Sequence, residues 1–525
     1  MHCTCVRQSD LPHTTRLFAD VLYNPDRTAR YYAHPVRDLE AYRAAAAQVD
    51  FPADRRAALI RALQVQNPHS TSLERLARPG TVAVITGQQV GLFSGPCYTI
   101  YKVLHAVKLA EWLSANGVEA VPVFWLATED HDFAEVNHAW VFGPGHVPGK
   151  LEMRRPATEQ PVGDVALVAP PVEELRAALH GLPFGEEIAD MVEETYRGGS
   201  TMGKAFGELM RKLLAKFDIL YVDPMLAEFR ELAAPALRKA VAAAPELTRA
   251  VLERNAELKA DGYHAQVHVE EHTSFFFLLE NGKRLVLRRS GTEFLHNSRR
   301  FTTEELMERA ASLSPNALLR PVIQDSMLPT AAYIGGPAEI AYFAQSAALY
   351  EKLLGRMPVA VPRAGFTLLD GRSDKLMERY ELKLQDFFHG GTALKEQIAS
   401  RLVPPAITLH LRESAAAVNG AVSRLRRELT EFDPTLAKAL DRSAAKIKYQ
   451  MAKMEHKTGR ETMRRDERAA RDAASLYGLI LPERHLQERL YSILPFLAQY
   501  GTGLLDEVYA AIELDCADHR LMIVA

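Results

Sequence analysis

The stretch that most restricts the fold is "TVAVITGQQVGLFSGPCYTIYKVLHAVKLAEWLSANGVEAVPVFWLA", residues 81–127. An apolar run (81–86) enters a glycine-rich loop, and a helical pattern follows from about Pro96 to Ala115. A second apolar run occupies 119–127. Within the helix Ile100, Val103, Leu104, Val107, Ala110 and Leu113 recur at helical spacing. Pro96 suits a first helical turn and Gly117 suits a stop. The second run lacks polar alternation, as in a strand covered on both faces. Strand, helix, strand over so short a distance is a βαβ unit, which predicts a parallel sheet with right-handed crossovers. "DILYVD" (218–223), "AAYIGG" (331–336) and "MPVAVP" (357–362) read as further strands of that sheet. The expected fold class is α/β.

Around this core the texture changes. Residues 1–80 read as helical. Segment 140–200, rich in Gly, Pro and acidic residues, reads as a mixed insertion. "AQVHVEEHTSFFFLLENGKRLVLRR" (265–289) alternates around Asn281-Gly282, a strong hairpin signal, and reads as a small β insertion. Leu411, Ala415, Val418, Val422, Leu425, Leu429 and Phe432 form an unbroken heptad seam. Asp433-Pro434 makes an N-cap and first turn, and Ala437, Leu440, Ala444, Ile447, Met451 and Met454 continue as a second seam. Two such helices about so tight a corner predict an antiparallel coiled-coil hairpin. The expected organisation is a core over 1–404 with insertions at about 140–200 and 262–315, a coiled coil over 405–480, and a segment 481–525 returning to the core.

A net charge of −3 gives no reason to expect nucleic acid or an anionic membrane as partner. The chain has no 18-residue apolar run and no signal-peptide pattern at its N-terminus, so a cytoplasmic address is expected. The four cysteines do not make a disulfide framework. Cys3 and Cys5 lack a second pair for a metal and read as part of a disordered tail.

Three stretches carry candidate chemistry. Gly87, Gln88, Gln89, Gly91 and Gly95 lie between a strand and a helix N-terminus, where glycines permit close backbone approach and free amides attract an anion. Lys102, one to two turns into the helix, adds charge. At the end of the next strand stand Glu129, Asp130, His131 and Asp132. Three carboxylates there need a cation, an amine or hydrogen bonds to absorb their charge, so Mg²⁺, a substrate ammonium or a general-base histidine all fit. Consecutive side chains rarely converge on one ion, so no metal-ligand set is assigned. The third stretch, "RPVIQDSMLPTAAYIGGPAEIAYFAQ" (320–345), repeats the strand-to-helix logic at Gly335-Gly336-Pro337. Glu339 and Tyr342 share a helix face there, and Arg320 and Arg363 are candidate partners for carboxylates or phosphates. "GGSTMGK" approaches a P-loop, but Ala205 stands where a hydroxyl is required and a helix pattern precedes it.

"ITGQQVGLFSGPCYTIYK", "PVFWLATEDHDFAEVNH", "RPVIQDSMLPTAAYIGGPAEIAYFAQ" and the heptad hairpin, in that order, resemble the bacillithiol biosynthesis cysteine-adding enzymes, a family of cysteine ligases, over essentially the whole chain. The resemblance implies a Rossmann-like core with two connecting insertions and a protruding antiparallel coiled coil that supports a homodimer. It also implies the last step of bacillithiol synthesis, in which cysteine is joined to glucosaminyl-malate. Joining a carboxylate to an amine at neutral pH needs activation, most simply as an acyl-adenylate, so ATP and Mg²⁺ are the cofactors expected. The glycine loop then holds phosphate or a substrate carboxylate, and the acidic stretch holds the amine or Mg²⁺, with His131 as candidate base. Asn137 and Gln324, polar residues inside the quoted stretches, join the candidate binding residues. Two other classes stay open at this point: a metal-dependent hydrolase using Asp130, His131 and Asp132, and a non-catalytic ligand-binding scaffold presenting the coiled coil.

Overall fold

The computed structural model describes residues 3–154 and 160–524. Five strands form the central parallel sheet: β1 (Val82–Gln89), β2 (Ala120–Ala127), β3 (Leu220–Val222), β4 (Thr330–Gly335) and β5 (Val359–Pro362). Their order is β5-β4-β1-β2-β3, with every neighbouring pair parallel. α1 (Tyr98–Ala115) lies between β1 and β2 in the chain, and α2 (Pro337–Leu353) between β4 and β5. The chain moves outward from β1 to β3, then resumes on the other side of β1. Connections leaving the adjacent strands β1 and β4 therefore diverge, and a crevice opens at their carboxyl ends.

The apolar runs follow from burial on both faces. Ala83 and Ile85 pack in one cluster with Val121, Val123, Trp125 and Phe343. Val82 and Val84 pack in another with Leu109, Leu113, Val359 and Val361. Successive side chains point to opposite sides of a strand, so both must be apolar when each side is covered. Each buried Val, Leu, Ile or Phe among them stabilises the fold by about 1.5–3 kcal/mol on burial.

Two expectations need correction here. β1 does not end at Thr86: Gly87, Gln88 and Gln89 continue the ladder opposite Trp125, Leu126 and Ala127. Cys3 and Cys5 lie in no disordered tail, because Cys3–Val6 pairs antiparallel with the strand His519–Val524. That partner lies at the far end of the chain, so local composition gave no sign of it. Cys5 is exposed and free.

The Asn281-Gly282 pair is the two-residue turn between Thr273–Glu280 and Lys283–Ser290, with both residues at positive φ. Those strands belong to a five-stranded antiparallel sheet that also takes in Leu313–Pro315. Glu280 opposes Lys283, so the hairpin register is that of a two-residue loop.

The chain divides into two compact units. One holds the residues up to Pro144, 148–367 and 487–524; the other holds 145–147 and 368–486. In the second unit α3 (Pro405–Phe432) and α4 (Pro434–Arg465) form an antiparallel hairpin, with Asp433 capping α4 through the Thr435 amide. Arg426 and Asp441 pair across it. The seam is only half covered: α3 has no buried residue, and Leu425, Ile447 and Met454 are 45%, 43% and 54% exposed.

Candidate functional site

The crevice between the ends of β1 and β4 is a cleft of about 520 Å³. Its floor is Gly87, Gln88 and Gln89 of β1. One side carries Glu129, Asp130 and His131 after β2, with Phe277 and Arg284 of the antiparallel hairpin. The other carries Arg320, the start of α2 (Gly336 to Glu339), Tyr342, Arg363 and Arg489.

The acidic side is already partly neutralised. Asp130 accepts from Gln89 at 2.7 Å and from Arg284 at 3.3 Å. Burial pushes its carboxyl up, but hydrogen bonds from Gln89 and the His131 amide and the charge of Arg284 outweigh burial and hold it well below the usual carboxylate range. Glu129 is buried and pairs with Arg230 at 3.1 Å. Gln89 also donates to Glu135 at 2.8 Å. Asp132 does not join this group: it turns outward and caps the short helix Phe133–Val136 by accepting from the Glu135 amide. Four titratable groups in a row thus disperse, because the turn after β2 points neighbouring side chains in different directions.

The basic side differs. Arg320 donates to Gln324, Tyr333 and Tyr342 at 3.0–3.1 Å, and among the described residues no carboxylate pairs with it. Arg489 is exposed at the rim. The amides of Ala338 and Glu339 begin α2 and have no acceptor within the helix. Arg363, by contrast, is spent on a bidentate pair with Glu488 at 2.6 and 2.8 Å, both side chains buried.

Several residues expected to meet a ligand have partners within the protein. Lys102 is 1% exposed, and its Nζ donates to the Gly87 carbonyl, to Gln88 and to Glu339. Glu339 also accepts from Tyr333 at 2.6 Å and from the Gly336 amide at 2.7 Å. Burial raises its pKa, yet Lys102 and these donors outweigh burial and hold it low. Lys102 is therefore a buried tie between β1 and α2 and does not offer charge to an anion. A Cβ on Gly91 would lie 2.8 Å from the Gly95 Cα, so the close approach of these two backbone segments itself requires glycine, and neither residue lines the cleft. Gly95 sits at φ +64°, which only glycine adopts freely. The start of α1 is covered as well, since the Cys97 amide donates to the Tyr491 carbonyl at 2.7 Å. Asn137 lies outside the cleft and donates to Glu152 and to the Met153 carbonyl. Gln324 is buried behind Arg320 and donates to Asp325. A Cβ on Gly335 would crowd Ile340 and Glu339, so that residue too is a packing glycine.

Arg230, Arg284, Glu488 and Arg489 escaped sequence reasoning. They reach the site from a helix, a hairpin and the C-terminal segment, all distant in the chain. The Asn281-Gly282 turn located the hairpin but gave no sign that Arg284 faces Asp130.

No three His, Cys, Asp or Glu side chains among the described residues form a metal-ligand set. A cation between Glu129 and Asp130 would have to displace Arg230 and Arg284. The residues do not fit a protein-held Mg²⁺. They do fit an anionic group, phosphate or carboxylate, at Arg320, Arg489 and the α2 amides.

The family description "Bacillithiol biosynthesis BshC, N-terminal Rossmann-like domain" matches residues 1–364, and "Bacillithiol biosynthesis BshC, C-terminal coiled-coil domain" matches 366–524. The chain belongs to the BshC family. Curated relatives named "Putative cysteine ligase BshC" occur in Solibacter usitatus (73% identical, 100% of each chain), Koribacter versatilis (37%, 99% of each) and Salinibacter ruber (31%, 96% of each). The BshC Rossmann-like portion holds all of the cleft except Arg489, which comes from the portion matched by the coiled-coil description. Residues 487–524 pack with the Rossmann-like unit although they follow the coiled coil in sequence.

Proposed function

We propose that this chain is a ligase joining cysteine to glucosaminyl-malate, the last step of bacillithiol synthesis, and that the cleft at the switch point is where it acts. What supports the placement is the two-signed lining. Arg320, Arg489 and the α2 amides await an anion, while Asp130, Glu135 and Gln89 offer acceptors and charge to an amine. The two substrates together present carboxylates and amines, so one cleft with both polarities can orient them toward each other. Holding both reactants in line removes much of the entropic barrier to amide formation.

The roles divide by charge. Arg320 receives a carboxylate or phosphate in a fork its phenol partners keep in place. Asp130 stays ionised at neutral pH and so anchors an ammonium; it is too weak a base to take the proton away. When ATP is bound it supplies carboxylate activation, and its phosphates would be held by Arg320, Arg489 and the α2 amides. The metal-dependent hydrolase has less support, because arginines occupy the places a cation would take. A homodimer through the coiled coil belongs to the same proposal and rests on the half-exposed apolar seam.

The test is an assay of purified protein with cysteine, glucosaminyl-malate and ATP, following amide product by mass spectrometry. Product that depends on all three, and falls sharply in Arg320→Met, supports the reading. Zinc-dependent hydrolysis with no nucleotide consumed would overturn it.

A further inference from the structure

His131 was expected to serve as a base, and its surroundings argue otherwise. Its ring lines the cleft, with the side chain 38% exposed. Nδ1 faces inward, 3.0 Å from Nη1 of Arg284 and 3.5 Å from Oδ1 of Asp130. Arg284 is itself fixed: it donates to Ser314 at 3.0 Å and to the Pro315 carbonyl at 2.8 Å, and it stacks on Phe277 at 3.9 Å. A guanidinium is always protonated and offers only donors. The atom it faces at hydrogen-bonding distance must therefore present a lone pair. A neutral imidazole with a lone pair at Nδ1 carries its hydrogen at Nε2. The other tautomer would aim an Nδ1 hydrogen at the Arg284 hydrogens and reach Asp130 only at the longer distance. Protonating Nδ1 would set a second cation against Arg284. The other charged groups at this end are Asp130 and Asp132 on the same turn and Glu129 and Glu135 nearby; Asp130 already accepts from the His131 amide at 2.7 Å, and the other three are turned to Arg230, the Glu135 amide and Gln89.

We infer that His131 acts as a neutral Nε2–H hydrogen-bond donor to an acyl or phosphoryl oxygen in the cleft, that it is not a general base, and that Arg284 is the positioning residue that holds this tautomer. The inference rests on reading the cleft as a site of acyl transfer. Charge develops on the acyl oxygen as an amine attacks, and a fixed donor aimed there stabilises the transition state.

Two-bond ¹H–¹⁵N correlation on the histidine-labelled full-length protein decides the tautomer without any turnover; the signals lost in His131→Gln identify the ring. The expected pattern is a protonated Nε2 and a bare Nδ1, shifting toward protonated Nδ1 in Arg284→Met. A protonated Nδ1 in the unsubstituted protein would overturn the inference whether or not ligase activity is found. In the ligase assay His131→Gln, which keeps a donor near Nε2 without basicity, should retain kcat within about tenfold, and His131→Ala should lose about 100-fold. Equal losses in both variants, or an acid limb in the kcat/KM profile of the unsubstituted enzyme that disappears in His131→Gln, would overturn the donor role.

Discussion

Arg320 is a mostly desolvated cation paired with phenols and an amide, an arrangement that costs stability until an anion arrives. Arg320→Met should therefore leave the melting temperature unchanged or raise it, while kcat/KM falls by about two to three orders of magnitude. Thermal melts run beside the ligase assay separate the two effects; a large loss of stability with activity retained would make Arg320 structural. His105, on α1, makes stability depend on pH. Burial, with the charges of Arg37, Arg520 and Arg363, lowers its pKa to about 3, and its neutral Nδ1 accepts from the Ala364 amide at 3.0 Å. The unfolded chain binds this proton near pH 6.5, at about the ordinary value, whereas the folded chain does not. The stabilisation is thus complete above about pH 6.5 and is lost as pH falls toward the folded value of about 3. Between pH 7 and pH 5 this one group should remove about 2 kcal/mol. Urea midpoints across that range should fall more steeply for the unsubstituted protein than for His105→Asn, which keeps an acceptor without titrating.

At the scale of the element, the glycine segment separates into two halves. Gly87 ends up inside β1, and a Cβ there would meet Arg320, Tyr333 and Trp125 at 3.4–3.5 Å, ordinary contact. Gly91 belongs to the loop proper, where a Cβ would run into the Gly95 backbone at 2.8 Å. Gly87→Ala is accordingly expected to melt within a few degrees of the parent yet disturb Arg320 and lower turnover. Gly91→Ala should cost about 1–3 kcal/mol through overpacking, with turnover per folded molecule little changed. Circular-dichroism melts and active-site-normalised rates distinguish these patterns, and the reverse assignment would mean that the loop, not the strand end, faces substrate.

For the whole molecule, the coiled-coil hairpin carries the expectation of a homodimer. One hairpin leaves Leu425, Ile447 and Met454 half exposed, and a second copy is the simplest cover for an apolar stripe that repeats every heptad. Leu425→Glu combined with Ile447→Glu should shift the mass by light scattering from dimer to monomer. A dimer that survives both substitutions would place the interface elsewhere. The same scale shows what the chain order conceals. Glu488 and Arg489 follow the coiled coil, yet they complete the cleft by holding Arg363 and lining its rim.

The sequence alone determined the parallel sheet, the coiled-coil hairpin and the Asn281-Gly282 turn, because each is written in a local period or a local turn preference that a few neighbouring residues satisfy. It also pointed to the region where the cleft opens, since glycines and clustered charges mark it without reference to the rest of the chain, though it ended β1 at Thr86 and not at Gln89. Only the tertiary structure decided which charges are free. Lys102 and Arg363 look as available in sequence as Arg320, but burial forces the first two to find carboxylates, Glu339 and Glu488, that lie 237 and 125 residues away. Arg284, equally remote, comes within 3.0 Å of the His131 ring, a contact that bears directly on its tautomer. A buried charge must be compensated by whatever side chain the fold brings within a few ångströms, and that neighbour is set by strand order and hairpin register, which no local stretch of residues records.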